Sequence, residues 1–208
     1  MNTKILVLSI CLAIDGIAGT AQTIDSAKAV HTTRNNVLYL APVQFSENGP
    51  GFGVGYARFV NHEKNIAVNI DGAATFNTAN TNRIYNYNTG FYNTGNPDAM
   101  YYLLPGIKFF PFGSNGLFTY AFGLSADMGS GVKSSGYYDL NGLNLAERVQ
   151  KHFLVGGLVE NYLQYNYSRR TCLEAKLSVG SSLLNRVGGA NTGNEFLIEG
   201  GIKIGYRI

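Results

Sequence analysis

From Phe196 to Ile208 every second position is apolar or glycine: Phe196, Ile198, Gly200, Ile202, Ile204, Tyr206 and Ile208. Between them stand Leu197, Glu199, Gly201, Lys203, Gly205 and Arg207. A period of two predicts a β-strand with one greasy face and one charged or small face. A water-soluble sheet can show the same alternation with its greasy side inward. This stretch is longer than an ordinary strand of about five or six residues. It also meets the roughly 9–11 residues a tilted strand needs to cross a bilayer. The pattern therefore predicts a membrane-spanning strand with lipid on one side and a polar lumen on the other.

The same alternation predicts eight strands, at 37–45, 52–60, 65–77, 100–110, 117–128, 152–165, 171–184 and 195–208. In the third, Ile66, Val68, Ile70, Gly72, Ala74 and Phe76 oppose Ala67, Asn69, Asp71, Ala73 and Thr75. In the fourth, Tyr101, Leu103, Pro105, Ile107 and Phe109 oppose Tyr102, Leu104, Gly106, Lys108 and Phe110. The fifth sets Phe118, Tyr120, Phe122 and Leu124 against Thr119, Ala121, Gly123, Ser125 and Asp127. The seventh sets Leu173, Ala175, Leu177 and Val179 against Cys172, Glu174, Lys176 and Ser178. The sixth is ambiguous in phase, and Glu160 is best placed inward. Arg58 falls in the apolar phase of the second, near a short turn, where a charge costs only about 0–1 kcal/mol.

An Arg or Lys on a barrel's lipid face at the bilayer midplane costs about 2–4 kcal/mol. The charged face is therefore assigned to the inside. The expected lumen network is Asp71, Lys108, Asp127, Glu160, Glu174, Lys176, Glu199, Lys203 and Arg207. Buried charges need partners, and eight strands leave room for side chains rather than a wide pore. Aromatics near strand ends suggest girdles: Tyr56, Phe59, Phe109, Phe118, Tyr165 and Tyr206 at one rim, Phe76 and Tyr101 at the other. Pro105 removes a ladder donor and predicts a bulge or local break.

Connections at 61–64, 111–116 and 166–170 are short, and Asn115-Gly116 is a tight-turn dipeptide. Those at 78–99 and 129–151 are long, 185–194 is intermediate and 46–51 is short. Residues 143–149 predict one helical turn at most. The long connections fall on one rim of an up-and-down barrel and the consistently short ones on the other. That is the asymmetry of outer-membrane barrels, with long extracellular loops and short periplasmic turns. The 78–99 loop repeats Tyr-Asn-Thr-Gly at 87–90 and 92–95 and reads as an ordinary polar loop.

Composition sharpens this picture. Of 208 residues only 14% are charged, against roughly 25% in soluble domains. Glycine is abundant at 26, while 14 Tyr and 12 Phe suit aromatic-rich strands. The net charge of +3 is small and scattered, with no basic stripe, so no nucleic-acid partner is expected. Lys4, the apolar run 5–14 and Gly19-Thr20-Ala21 predict a cleaved signal over 1–21, followed by a short periplasmic leader at 22–35 and the barrel at 36–208. Bulky Ile10 before Cys11 argues against lipidation. Cys172 is then the only mature cysteine, with no intramolecular disulfide to make. His31 and His62 stand apart, so no metal site is expected, and no cofactor motif is present.

The ending Gly201-Ile-Lys-Ile-Gly-Tyr-Arg-Ile208 resembles the C-terminal assembly signal of bacterial outer-membrane β-barrels, carried here by Gly201, Ile204, Tyr206 and Ile208. Ile208 stands where that pattern usually has Phe. Val37-Leu-Tyr-Leu-Ala-Pro-Val-Gln-Phe45 and Gly53-Val-Gly-Tyr-Ala-Arg-Phe-Val60 are similar to outer-membrane β-barrel proteins of Bacteroidota. The resemblance covers about residues 36 to 208. It implies location in the bacterial outer membrane, with outer-membrane lipid and the outer-membrane assembly machinery as partners. It implies no single activity, and any surface ligand is unknown.

The expected fold is an eight-stranded antiparallel up-and-down transmembrane β-barrel. The expected role is structural or surface-interactive, with a largely closed charged lumen. The alternative is a narrow porin-like channel for small solutes or ions. A lipid-modifying barrel enzyme ranks below both. His152, Asp127, Ser125 and Ser181 could share a rim, yet no nucleophile motif surrounds either serine, and no catalytic residue is assigned. A soluble lipocalin-like barrel would invert the two faces.

Overall fold

The computed structural model describes residues 34–77, 83–86, 90–93, 98–138 and 145–208. The expected signal and nearly all of the leader lie outside the described residues. So do parts of both Tyr-Asn-Thr-Gly repeats.

Eight strands form the barrel: β1 (Asn36–Ser46), β2 (Gly49–Phe59), β3 (Ile66–Asn77), β4 (Asp98–Phe109), β5 (Phe118–Tyr138), β6 (Leu145–Tyr165), β7 (Thr171–Val187) and β8 (Phe196–Arg207). Each pairs antiparallel with the next. β8 pairs with β1 and closes the ring. Closure removes free edges from the ring itself, so the strand backbone within the bilayer needs no water partners. At the seam the Ile208 amide donates to the Asn36 carbonyl at 2.9 Å. No helix occurs among the described residues.

The two faces separate as a membrane requires. Ile202, Ile204 and Leu177 are exposed to 46%, 50% and 46%, whereas Lys203 and Glu174 are at 3% and 0%. An apolar exterior over a buried ionic interior is the inverse of a soluble barrel, and the lipocalin alternative fails on it. β6 takes one phase throughout, with Leu154, Leu158, Glu160, Tyr162 and Gln164 inward.

Several elements depart from the sequence reading. β5 and β6 are 21 residues each. Most of the expected 129–151 connection is their continuation, paired from Gly129↔Leu154 to Tyr138↔Leu145. Residues 145–149 are extended, not helical. The reason is solvent: beyond the bilayer neither face of a hairpin needs apolar residues, so the alternation fades while pairing continues. β7 likewise runs to Val187, and Ala190–Asn191 folds back on its end.

Pro105 makes no bulge, though it does stand at a local break of the ladder. Its partner on β3 is Ile70 in unbroken register, and only the β5 side skips pairs around it. The register shifts instead lie between Leu40 and Val43, around Pro42, and in β7 opposite Val155/Gly156. A proline can keep its place in a ladder when its missing donor falls on one side only. The 110–117 turn uses Gly113 at φ 75°, not the Asn115-Gly116 pair, for its left-handed residue. Phe59 faces the lumen, not the girdle.

Candidate functional site, the lumen

The interior is built in three layers. Towards the rim of short turns, Val37, Ala57, Phe59, Ala67, Phe110 and Ala121 form an apolar cluster with Cys172. The Phe59 and Phe110 rings meet at 5.4 Å. Towards the rim of loops, Ala73, Met100, Tyr102, Leu104, Leu154, Leu158 and Leu197 form a second. Between them lies an ionic layer.

Alternation delivers these side chains inward, and the small diameter brings opposite strands together. Lys108 on β4 reaches Glu174 on β7 at 2.8 Å. Lys203 on β8 reaches Asp71 on β3 at 2.6 Å and Glu174 at 3.8 Å. Lys176 on β7 binds Glu160 at 2.8 Å and Glu199 at 3.5 Å. Tyr162 joins the two groups: its hydroxyl donates to Glu160, and Lys108 sits 3.9 Å over its ring. Lys108 also lies 4.9 Å from the Tyr39 ring centroid. All seven charged residues are at most 5% exposed.

The other two residues of the expected network sit apart. Arg207 is drawn to the turn rim, where it donates to the Asn166 side chain and, at 3.4 Å, to the Ser168 carbonyl. Asp127 is wholly buried, and neither carboxylate oxygen has a hydrogen-bond partner. The apolar plugs escaped sequence reasoning. Their signal was present, since Tyr102, Leu104 and Leu197 occupy the charged phase of their strands.

The residues weighed for catalysis do not assemble. His152 Nε2 is 2.8 Å from Asn185 Oδ1, and Asn185 donates to Glu195 at 2.7 Å. Ser181 lies on the exposed face, and buried Ser125 Oγ has no hydrogen-bond partner. Among the described residues no three His, Cys, Asp or Glu side chains converge on a metal position.

At the loop rim, the β1–β2 turn places Glu47 beneath the Tyr102 hydroxyl, which donates to it at 2.9 Å. Loss of hydration around the carboxyl, above all, raises Glu47 from its ordinary value, although the residue as a whole is exposed at the rim. Of the proposed assembly signal, Ile204, Tyr206 and Ile208 face outward, while Gly201 lies against the β1 backbone at Val43 and Gln44.

Fold and lumen together define an eight-stranded transmembrane β-barrel of the outer-membrane type, its interior packed solid rather than open. No protein-family model matches the chain, and comparison with curated proteins gives no significant match. Among solved structures the chain is similar to the N-terminal β-barrel domain of Pseudomonas aeruginosa OprF, at 10% identity, TM-score 0.49, covering 83% of this chain and 98% of that one. It is also similar to Neisserial surface protein A (13% identity, TM-score 0.43, 84% and 94% covered). A third is the Yersinia pestis outer membrane protein Ail (14% identity, TM-score 0.41, 84% and 99% covered). At these identities no activity transfers to this chain.

Proposed function

We propose that this protein is a closed structural barrel of the outer membrane that works through its loop rim. The observation that carries this reading is the pairing of a sealed lumen with a projecting hairpin. Two apolar clusters cap the ionic layer. Meanwhile β5 and β6 each run 21 residues, about twice what the bilayer needs. The surplus, paired from Val132↔Lys151 onward, runs past the last rungs shared with β4 and β7, Met100↔Gly131 and His152↔Val187, and is displayed to the exterior. The likeness of 37–45 and 53–60 to Bacteroidota barrels supports such an envelope as its setting, reached through a cleaved signal and the outer-membrane assembly machinery.

Cysteine labelling in intact cells tests this. Cys172 is buried and gives little background. Val149→Cys, at an exposed position of the hairpin, should react with a membrane-impermeant maleimide, and Asn115→Cys on the opposite rim should not. Reversed labelling sinks the orientation, and loss of both from the membrane fraction sinks the class.

A second reading, a narrow ion passage, is favoured by the ionic layer itself. Planar-bilayer recording decides it: the wild-type protein should show no stable conductance if the plugs hold.

A further inference from the structure

Arg58 breaks the apolar pattern of the outer wall. It stands exposed in the lipid-facing phase of β2, one residue before the strand ends. Among the described residues it enters no ion pair. Its ladder neighbours are Asn36 on β1 and Val68 on β3. The Asn36 side-chain oxygen accepts from the Tyr56 hydroxyl at 2.8 Å.

Beside Arg58 an open groove of about 1170 Å³ runs along the wall of β2, β3 and β4. Arg58 and His62 line it towards the turn, and Tyr56, Val68, Ile70 and Pro105 line the wall. The rung Arg58↔Val68 lies nearest the turn; Tyr56, Ile70 and Pro105 share the next outward level, deeper in the bilayer. The groove is thus basic at headgroup depth and apolar on the hydrocarbon side. That is the polarity of a phospholipid, with its phosphate at one end and an acyl chain at the other. The surrounding rim selects the sign of the headgroup. Arg34, Arg58, Lys64, Arg169, Arg170 and Arg207 lie at this end of the barrel, and Glu63 is the one acid there among the described residues. Basic residues at a membrane surface favour anionic lipid.

We propose that this groove binds one anionic phospholipid from the leaflet on the turn side. The Arg58 guanidinium donates paired N–H groups to the phosphodiester oxygens. An acyl chain lies over Val68, Ile70 and Pro105. The identity of the leaflet rests on the outer-membrane reading above.

The test uses the full barrel refolded in detergent and given equal amounts of phosphatidylglycerol and phosphatidylcholine with the same chains. Heat-modifiable gel mobility reports the fold, and native mass spectrometry reports the retained lipid. One phosphatidylglycerol should be retained, preferred about fivefold, the weight of one basic residue towards an anionic lipid. Arg58→Ala should abolish the preference, and Arg169→Ala should leave it. Ile70→Trp, which fills the groove and keeps the charge, should expel the lipid, and it decides the matter should Arg58→Ala not fold. Equal retention of the two lipids overturns the proposal, as does a preference that survives Arg58→Ala. A preference lost equally in Arg169→Ala overturns it too, because the rim then acts as diffuse charge. So does displacement of the lipid by an equal concentration of inorganic phosphate, because the groove then takes the anion alone. A chain without a heat shift sinks the barrel reading itself; one that shifts but retains no lipid sinks this inference only.

Discussion

The tip of the Phe45 ring on β1 covers Gly200 on β8, across the seam that closes the barrel. The two residues are paired in the ladder. The space a Cβ would need at Gly200 is taken by the Phe45 ring. Gly200 is accordingly buried although it belongs to the lipid-facing phase. The aromatic covers a backbone that glycine leaves bare, and the glycine admits the aromatic.

Gly200→Ala should therefore displace Phe45 and weaken the seam by about 1–3 kcal/mol, the range for overpacking. Phe45→Leu on that background should recover part of the loss. Urea unfolding of the barrel in detergent measures both. Simple additivity of the two changes would show that the ring does not depend on the glycine.

Lys203 holds Asp71 and Glu174 from β8. Lys203→Met strands the buried Asp71 carboxylate, while Glu174 keeps Lys108, and should cost about 3–5 kcal/mol. Asp71→Asn added to it should restore stability. The same unfolding measurement applies, and a Lys203→Met variant as stable as wild type would show that the pair contributes nothing.

Depth should govern the exterior. Ile202 lies midway along β8, and Ile208 lies just beyond its end. Ile202→Lys should cost about 2–4 kcal/mol in a bilayer, and Ile208→Lys about 0–1 kcal/mol. Refolding into lipid vesicles gives both values, and equal penalties would mean that the belt is placed wrongly.

Leu104 and Leu197 belong to the plug at the loop side. Trimming both to alanine should cost about 2–5 kcal/mol each and open space above the ionic layer. Planar-bilayer recordings of the double variant should show brief cation-selective openings where the wild type is silent. Silence in both would place the barrier at the Phe59–Phe110 layer instead.

The raised Glu47 carboxyl means that the folded protein holds this proton more tightly than the unfolded chain. Its contribution to stability is full below the ordinary glutamate value of about 4.3 and is lost as pH rises through the raised one. Glu47→Gln should match the wild type near about pH 4 and exceed it increasingly towards about pH 8. Thermal midpoints across that span provide the check, and a constant difference would remove Glu47 as the cause.

Strand existence and closure, and the phase of every strand but the sixth, were legible in one dimension. Lipid penalises a charge on one face, so the pattern from Phe196 to Ile208 can be satisfied in only one way around. The same penalty carried Lys108, Glu174, Lys176 and Lys203 inward without any knowledge of their partners. Where lipid stops constraining the chain the signal stopped too, which is why the β5–β6 hairpin read as a loop. Pairing across the lumen lay beyond the sequence. Lys203 and Asp71 are 132 positions apart, and only the shear and diameter of the closed sheet bring them together. Tertiary structure alone decided that Arg207 leaves the ionic layer, that Asp127 stands without a partner, and that Leu104 and Leu197 seal the interior. Alternation determines a side; contact requires a third dimension.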